Sequence, residues 1–267
     1  MKLTPAQAYT VNVHSYGMVI YNILPLRAEA SDKSELVSQL IFGETYKVVE
    51  VSENGEWFKL IGIIDEYEGW LDAKLHYSIN ETLALNVKNA TVLHQLTSVR
   101  FNENTLFLLP GSLIQNLNGN QFTIQELSFN ILETNNSFSV NYNLSNLELI
   151  ANSYLHTPYL WGGKSVFGID CSGFMQMIFR PLGVFLPRDA WQQEIFVKKT
   201  TFGEHKQGDF AFFSGISGRV NHVGLVLDNN KIIHAHGKVR IDTLDEKGIW
   251  NPERNTYSHT LHSLGTL

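Results

Sequence analysis

Turn-forming dipeptides punctuate the first half of this chain so closely that only short strands fit between them. They recur at Asn54-Gly55, Glu68-Gly69, Pro110-Gly111 and Asn118-Gly119. Between them lie runs rich in Val, Ile, Phe and Leu, such as Thr45 to Val51, Trp57 to Ile64 and Leu106 to Leu109. Short apolar runs bounded by turn residues read as strands of small barrels. Two such units fit, breaking near Asn80–Leu85, which gives expected domains at residues 1–82 and 83–144. The polar stretch Glu133 to Ser137 closes the second and reads as a linker.

The texture changes near Leu144. Apolar residues at Leu147, Ile150 and Leu155 predict a helix over Asn146 to His156, with Asn146 or Ser145 as its N-cap. Thr157 to Gly163 reads as a loop. Cys171 to Arg180 is apolar on most sides and predicts a buried helix that stops before Pro181, because proline cannot continue the hydrogen-bond ladder. Gly208 to Phe213 predicts a strand. His222 to Leu227 and Lys231 to His236 predict a hairpin across Asp228-Asn229-Asn230, residues that tolerate positive φ. A helix followed by antiparallel strands makes residues 145–267 an α+β domain.

The formal net charge of −6 and the lack of a dense Lys/Arg block argue against nucleic acid or an anionic membrane as partner. The N-terminal residues MKLTPAQAYTVNVHSY lack the apolar run of a signal peptide, and Asn22 and Pro25 interrupt the apolar stretch Gly17 to Leu26. No run approaches the roughly 18 apolar residues of a membrane span. The expectation is a soluble, cytoplasmic protein.

There is one cysteine, so no disulfide forms within the chain. A free cysteine is most often a small buried hydrophobe, and a single histidine most often structural. Their combination here points to chemistry. Cys171 sits where a loop enters a helix, and the unpaired N–H groups there favour the thiolate nucleophile. His222, Gly224 and Val226 share one face of their strand, and His234 lies across the hairpin. The set suits a nucleophile, a base and a residue that orients the base. His236 has the same phase as His234 and reads as exposed. A zinc hydrolase using Cys171, His222, His234 and His236 is the rival reading, against which stands the absence of HExxH or CxxC spacing.

Four segments in order, Asp170-Cys171-Ser172-Gly173-Phe174, Gly208-Asp209-Phe210-Ala211-Phe212-Phe213, Asn221-His222-Val223-Gly224 and Ile233-His234-Ala235, resemble the NlpC/P60 cysteine peptidases. The resemblance implies a papain-like catalytic domain that cuts peptidoglycan stem peptides, with Cys171 as nucleophile, His222 as base, His234 as orienting residue, and no metal or cofactor. The first barrel resembles the bacterial SH3 (SH3b) fold, and PGSLIQNLNG marks a similar second one. With Tyr159-Leu160-Trp161-Gly162-Gly163 ahead of the cysteine, the arrangement is similar to the γ-D-glutamyl-L-diamino acid endopeptidases. That similarity implies a murein peptide of the type L-Ala-γ-D-Glu-diaminopimelate as substrate, recycled as a free fragment because the first SH3b domain walls the site. It also implies an amine pocket: Asp170, Ser172, Asp189 and Tyr159, with Tyr67 and Glu29 from the first barrel. Asp170 serves equally well as a helix N-cap. Ala190 stands after Arg188-Asp189 where relatives often carry serine, which removes a hydroxyl from the implied pocket. A hydrolase of the intact wall and a non-catalytic SH3b wall-binding protein are the other readings.

Overall fold

The computed structural model describes residues 13–132, 143–215 and 218–267. The expected linker at Glu133 to Ser137 and most of the N-terminal segment lie outside the described residues. The chain forms two compact units, Met1–Ser139 and Val140–Leu267.

The first unit is built of short antiparallel strands. β1 (Tyr16–Met18), β2 (Ile23–Arg27), β3 (Leu36–Ile41), β4 (Thr45–Val51), β5 (Trp57–Gly62), β6 (Glu68–Asp72) and β7 (Ser78–Ile79) form one sheet in the order β3-β2-β6-β5-β4-β1-β7. Its own core gathers Leu24, Leu26, Tyr46, Val48, Phe58, Leu60 and Leu71. A single helical turn, α1 (Glu81–Leu85), leads into β8 (Thr91–Val92), β9 (Thr97–Phe101), β10 (Asn104–Leu108), β11 (Leu113–Ile114), β12 (Gln121–Ile124) and β13 (Leu127–Ile131). These make a four-stranded sheet, β10-β9-β13-β12, and a two-stranded ladder, β11-β8. Met18, Phe42, Tyr77 and Ile79 of the earlier strands pack with Val99, Leu108, Phe122 and Phe129 of the later ones, so both halves of this unit share one apolar cluster.

Three of the four turn dipeptides place their glycines at positive φ. Glu68-Gly69 does not turn: it lies inside β6. The reversal falls three residues earlier, where Glu66 takes φ 54° and Asp65 Oδ1 accepts from the Tyr67 amide at 3.2 Å. Gly69 is needed for close approach instead, because a Cβ there would lie 2.9 Å from Leu26 Cβ.

The second unit begins with α2 (Leu144–Ser153). It starts two residues before the expected helix, because Asn143 rather than Asn146 is the cap: its Oδ1 accepts from the Asn146 amide at 2.8 Å. The loop that follows carries a short hairpin, β14 (Lys164–Ser165) and β15 (Gly168–Ile169), and runs into α3 (Cys171–Phe179). Every residue of α3 is buried. α4 (Ala190–Phe196) and β16 (Lys198–Thr200) precede six strands: β17 (Phe210–Ser214), β18 (Val220–Leu227), β19 (Lys231–His236), β20 (Lys238–Asp245), β21 (Gly248–Asn251) and β22 (Thr256–Thr266). The order is β16-β22-β17-β18-β19-β20-β21, and pairing of β22 with β21 closes six of the strands into a barrel. α3 packs against β18 and β19, with Phe179 stacked on Phe210 at 4.9 Å. The α+β class is as expected.

The hairpin β18–β19 turns at Asn229 and Asn230, with φ 57° and 55°. Ala211, Phe213, Val226, Ile232, Leu244 and Ile249 fill one apolar cluster. By the two-residue period, the same strand phase carries His222, Gly224, His234 and Asp242. The apolar interior of the barrel therefore becomes polar toward one end, and that end holds the histidines.

Gly224 pairs with His234 across the hairpin. A Cβ on Gly224 would stand 2.8 Å from His234 Cβ and 2.8 Å from Ile232 Cδ1. The glycine therefore makes room for His234 rather than for the approach of His222 to α3. Gly224→Ala is expected to cost about 1–3 kcal/mol by overpacking and to lower activity while urea unfolding still shows one cooperative transition. An alanine variant with wild-type stability and turnover would contradict this packing.

Candidate active site

Cys171 opens α3, and the residue before it holds the surroundings in place. Asp170 is extended (φ −93°, ψ 178°) and caps the helix through Oδ1, which accepts from the Gly173 amide at 2.7 Å. The same carboxylate accepts from the Gly162 amide at 2.9 Å, from Ser172 Oγ at 3.3 Å and from both terminal nitrogens of Arg188, at 3.1 and 2.5 Å. Arg188 also donates to Ser172 Oγ at 2.9 Å. All three side chains are buried. Removing one partner of such a buried pair typically costs about 3–5 kcal/mol, since the other charge is stranded. Asp170 is thus the pin that ties the Gly162 loop, the start of α3 and the segment before α4 together. Gln193 reinforces it, donating to the carbonyls of Ser172 and Pro187 at 3.0 and 2.8 Å.

The Cys171 thiol donates to the Asn221 carbonyl at 3.9 Å, which places it at the start of the His222 segment of β18. His222 Nε2 lies 2.8 Å from His234 Nδ1, and His234 Nε2 lies 3.0 Å from Asp242 Oδ2. Asp242 is buried on β20 and is paired with Arg240, whose Nη2 donates to Oδ1 at 2.9 Å; Arg240 reaches Glu253 at 3.3 Å. The structure therefore links the two expected histidines, sets the expected cysteine against the backbone just before His222, and extends the histidine chain by a carboxylate. Asp242 was not singled out from the sequence. Arg240-Ile241-Asp242-Thr243 alternates charged and apolar residues and reads as an ordinary solvated strand; the usable signal was its position on the strand following the histidine hairpin.

The protons in this chain have one consistent order. Burial pushes the Asp242 carboxyl up, but hydrogen bonds and charge from His234 and Arg240 outweigh it and hold the group below its usual range, so it is ionised. An ionised carboxylate only accepts, so His234 Nε2 carries a hydrogen. Burial lowers the pKa of His234, against the pull of Asp242, and keeps its ring neutral, which leaves Nδ1 as acceptor. His222 then carries its proton on Nε2, and its Nδ1 bears the lone pair. Burial also holds the pKa of His222 well below 6.5, with His259, His234 and His236 adding to the effect.

The thiol itself differs from expectation. Burial first, then the Asp170 charge, push Cys171 up to about 12, while amide hydrogen bonds and Arg188 oppose the rise. Burial thus works against the helix N-terminus at the thiol, and favours the uncharged forms of both Cys171 and His222.

His236 is half-buried rather than exposed, and His259 on β22 joins it. The His259 ring lies over that of His222 with centroids 4.0 Å apart and planes 19° apart. Ligand atoms of His222, His234 and His259 fall within 4.8 Å of one another. Nearly parallel rings do not aim their lone pairs at one point, and the facing nitrogens of His222 and His234 are already bonded to each other. The arrangement fits a proton relay better than a metal centre.

Among the residues implied for the amine pocket, Asp170 and Ser172 are buried in the Arg188 cluster, and the Asp170 carboxylate is occupied on both oxygens. Asp189 is half-buried and forms a capping box with Gln192, and its Oδ2 accepts from Trp191 Nε1 at 3.2 Å. Tyr159 is half-buried; burial, then the charges of Cys171 and Asp170, raise its phenol, which marks it as a neighbour of both. Ala190 is buried at the first position of α4. Tyr67 and Glu29 belong to the first unit, Tyr67 in the β5–β6 turn and Glu29 exposed after β2, where its amide donates to Ser34 Oγ at 2.9 Å.

Comparison with known proteins matches the NlpC/P60 family over residues 156–257 and the bacterial dipeptidyl-peptidase SH3 domain over residues 26–74. A Bacillus subtilis protein named γ-D-glutamyl-L-lysine dipeptidyl-peptidase is 29% identical over 216 residues, covering 74% of this chain and 71% of that one. A Haemophilus influenzae protein named "Probable endopeptidase NlpC homolog" is 38% identical over 170 residues, covering 62% of this chain and 86% of that one. The crystal structure of an NlpC/P60 family protein from Bacillus cereus superposes with a TM-score of 0.77 at 18% identity, covering 94% of this chain and 99% of that one, which shows the shared fold.

Neutral buried histidines make stability depend on pH. In the unfolded chain each has a pKa near 6.5; in the fold His222 lies well below that value and His259 at about 3. The unfolded state therefore binds more protons below pH 6.5, and stability is lost as pH falls from 6.5 toward the folded values. Between pH 7 and pH 5 the loss is up to about 2 kcal/mol for each such histidine. The thermal midpoint is expected to drop on the order of 10 °C over that window, followed by circular dichroism. A midpoint unchanged or raised at pH 5 would show that these rings are protonated in the fold.

Proposed function

The chain belongs to the NlpC/P60 family of cysteine peptidases, and from that premise we propose that it hydrolyses the γ-D-glutamyl–L-diamino acid bond of free murein peptides with an unblocked N-terminal L-Ala. The observation that carries this reading is the His222–His234–Asp242 chain, with 2.8 and 3.0 Å links, beside a Cys171 thiol 3.9 Å from the carbonyl that precedes His222. The bond class is supported by the SH3 match at residues 26–74 together with the relative named for γ-D-glutamyl-L-lysine. The diamino acid in this reading is diaminopimelate, and the substrate is a soluble fragment met in the cytoplasm.

The chemistry follows from the proton order. Cys171 Sγ gives its proton to His222 Nδ1 and attacks the γ-carbonyl of D-Glu. The imidazolium so formed is stabilised through His234 by the Asp242 carboxylate, and it protonates the departing amine. Water, deprotonated by His222, then releases the acyl group from sulfur. Tyr159 and Asp189, half-buried side chains able to face a ligand, serve the substrate ammonium in this reading. Asp170 acts on it only as a fixed background charge, since both of its oxygens are already bonded.

Mass spectrometry of L-Ala-γ-D-Glu-meso-diaminopimelate, its L-Lys counterpart and the N-acetylated forms tests the assignment. Wild type is expected to release L-Ala-γ-D-Glu from free-amine peptides only, and Cys171→Ala to release none. Cleavage of acetylated peptides would remove the amine requirement, and release from purified sacculi would replace the free fragment by the intact wall as substrate. No cleavage of any substrate would overturn the reading.

A further inference from the structure

His222 is held through Nε2 by His234, but one hydrogen bond leaves a ring free to rotate about the line of that bond. The χ2 torsion of histidine is broad and imposes no single plane. A swing about this axis would re-aim the Nδ1 lone pair without breaking the bond to His234. Something else must fix the plane.

His259 covers one face of the His222 ring, 4.0 Å away and 19° from parallel. It is itself wedged. Its ring meets His236 edge-on at 4.7 Å and 85°, His234 at 5.7 Å and 89°, and Phe213 at 5.8 Å and 61°. Its Nδ1 lies 2.9 Å from Ser258 Oγ. The strand that carries it is irregular on both sides: β17–β22 shifts register between Phe212 and Phe213, and β21–β22 shifts between Ile249 and Trp250, next to the Ile249–His259 pair. Bulges re-aim side chains, and they recur beside active sites. Here they accompany a ring turned onto the base.

We propose that His259 is a positioning residue for His222, acting as a neutral aromatic plate that fixes the plane of the base and stacks on the imidazolium formed when Cys171 gives up its proton. The face of an aromatic ring attracts a cation, whereas a protonated neighbour would repel it. Burial keeps His259 uncharged, at about 3. The titratable and charged groups around His222 are Cys171 and Asp170 at the start of α3, His234 and His236 on β19, Arg240 and Asp242 on β20, and His259 on β22. Of these His259 is the ring stacked on its face.

The inference rests on Cys171 and His222 as nucleophile and base, so the test includes a readout that needs no peptide. His259→Ala and His259→Phe are compared with wild type for kcat and KM on the free-amine peptide, and for the pH profile of Cys171 alkylation by iodoacetamide in the full-length protein. Circular dichroism confirms that each variant is folded. His259→Ala is expected to lose tenfold or more in kcat with KM within about twofold, and the acid limb of its alkylation profile is expected to move to higher pH as water reaches the uncovered His222 ring. His259→Phe keeps the plate without a titrating nitrogen and is expected to recover kcat to within about threefold, with the wild-type alkylation profile. A folded alanine variant with wild-type kcat and profile overturns the proposal, and so does a folded phenylalanine variant as impaired as alanine, which would assign the role to a ring nitrogen. If no peptide is cut by wild type, the alkylation profiles alone decide, and the failure then belongs to the substrate assignment.

Discussion

Asp242 is a buried carboxylate that can only accept hydrogen bonds, and the whole order of protons in the catalytic end of the barrel descends from it. His234 must turn an N–H toward it at 3.0 Å, His222 must turn an N–H toward His234 at 2.8 Å, and the remaining lone pair of His222 is left on Nδ1. The backbone supplies the conditions. Gly224 admits His234 opposite it, the Asn229-Asn230 turn fixes the hairpin register, and Arg240 shares the carboxylate so that it is not an isolated buried charge.

A second buried pair does the corresponding work for the nucleophile. The Asp170–Arg188 contact fastens the Gly162 loop and the start of α3, fixing Cys171 in position against β18. The cost is electrostatic: a buried thiol beside a carboxylate is a poor acid, and it rises to about 12. Geometry is set in advance, and burial favours the uncharged form of both the thiol and the imidazole.

How much was legible in the sequence follows from where each constraint lies along the chain. Cys171, His222 and His234 could be read because their signals are local: a loop-to-helix junction, and a hairpin whose two-residue period puts the histidines on one face. The class of the domain followed from the same runs. Asp242 and His259 could not be read, because a polar residue in the inward phase of a strand looks like a polar residue facing water until the barrel closes. β22 carries so many exposed and half-buried residues that its alternation is faint. Asp170 stood as either cap or substrate ligand, and only Arg188, 18 residues away, decides how its oxygens are spent. The Glu68-Gly69 pair misled for a related reason: glycine there answers a steric demand from Leu26 across the sheet, not a local turn.

The most direct test of this account is the tautomer and charge of His222 at pH 7, read by nitrogen-15 NMR of histidine-labelled full-length protein with assignment by single variants. The expected result is a neutral ring with its hydrogen on Nε2 and a bare Nδ1, beside a His234 that is also neutral and protonated on Nε2. A His222 ring protonated on both nitrogens in wild type, and neutral in Cys171→Ala, would mean a resting thiolate–imidazolium pair and would contradict it.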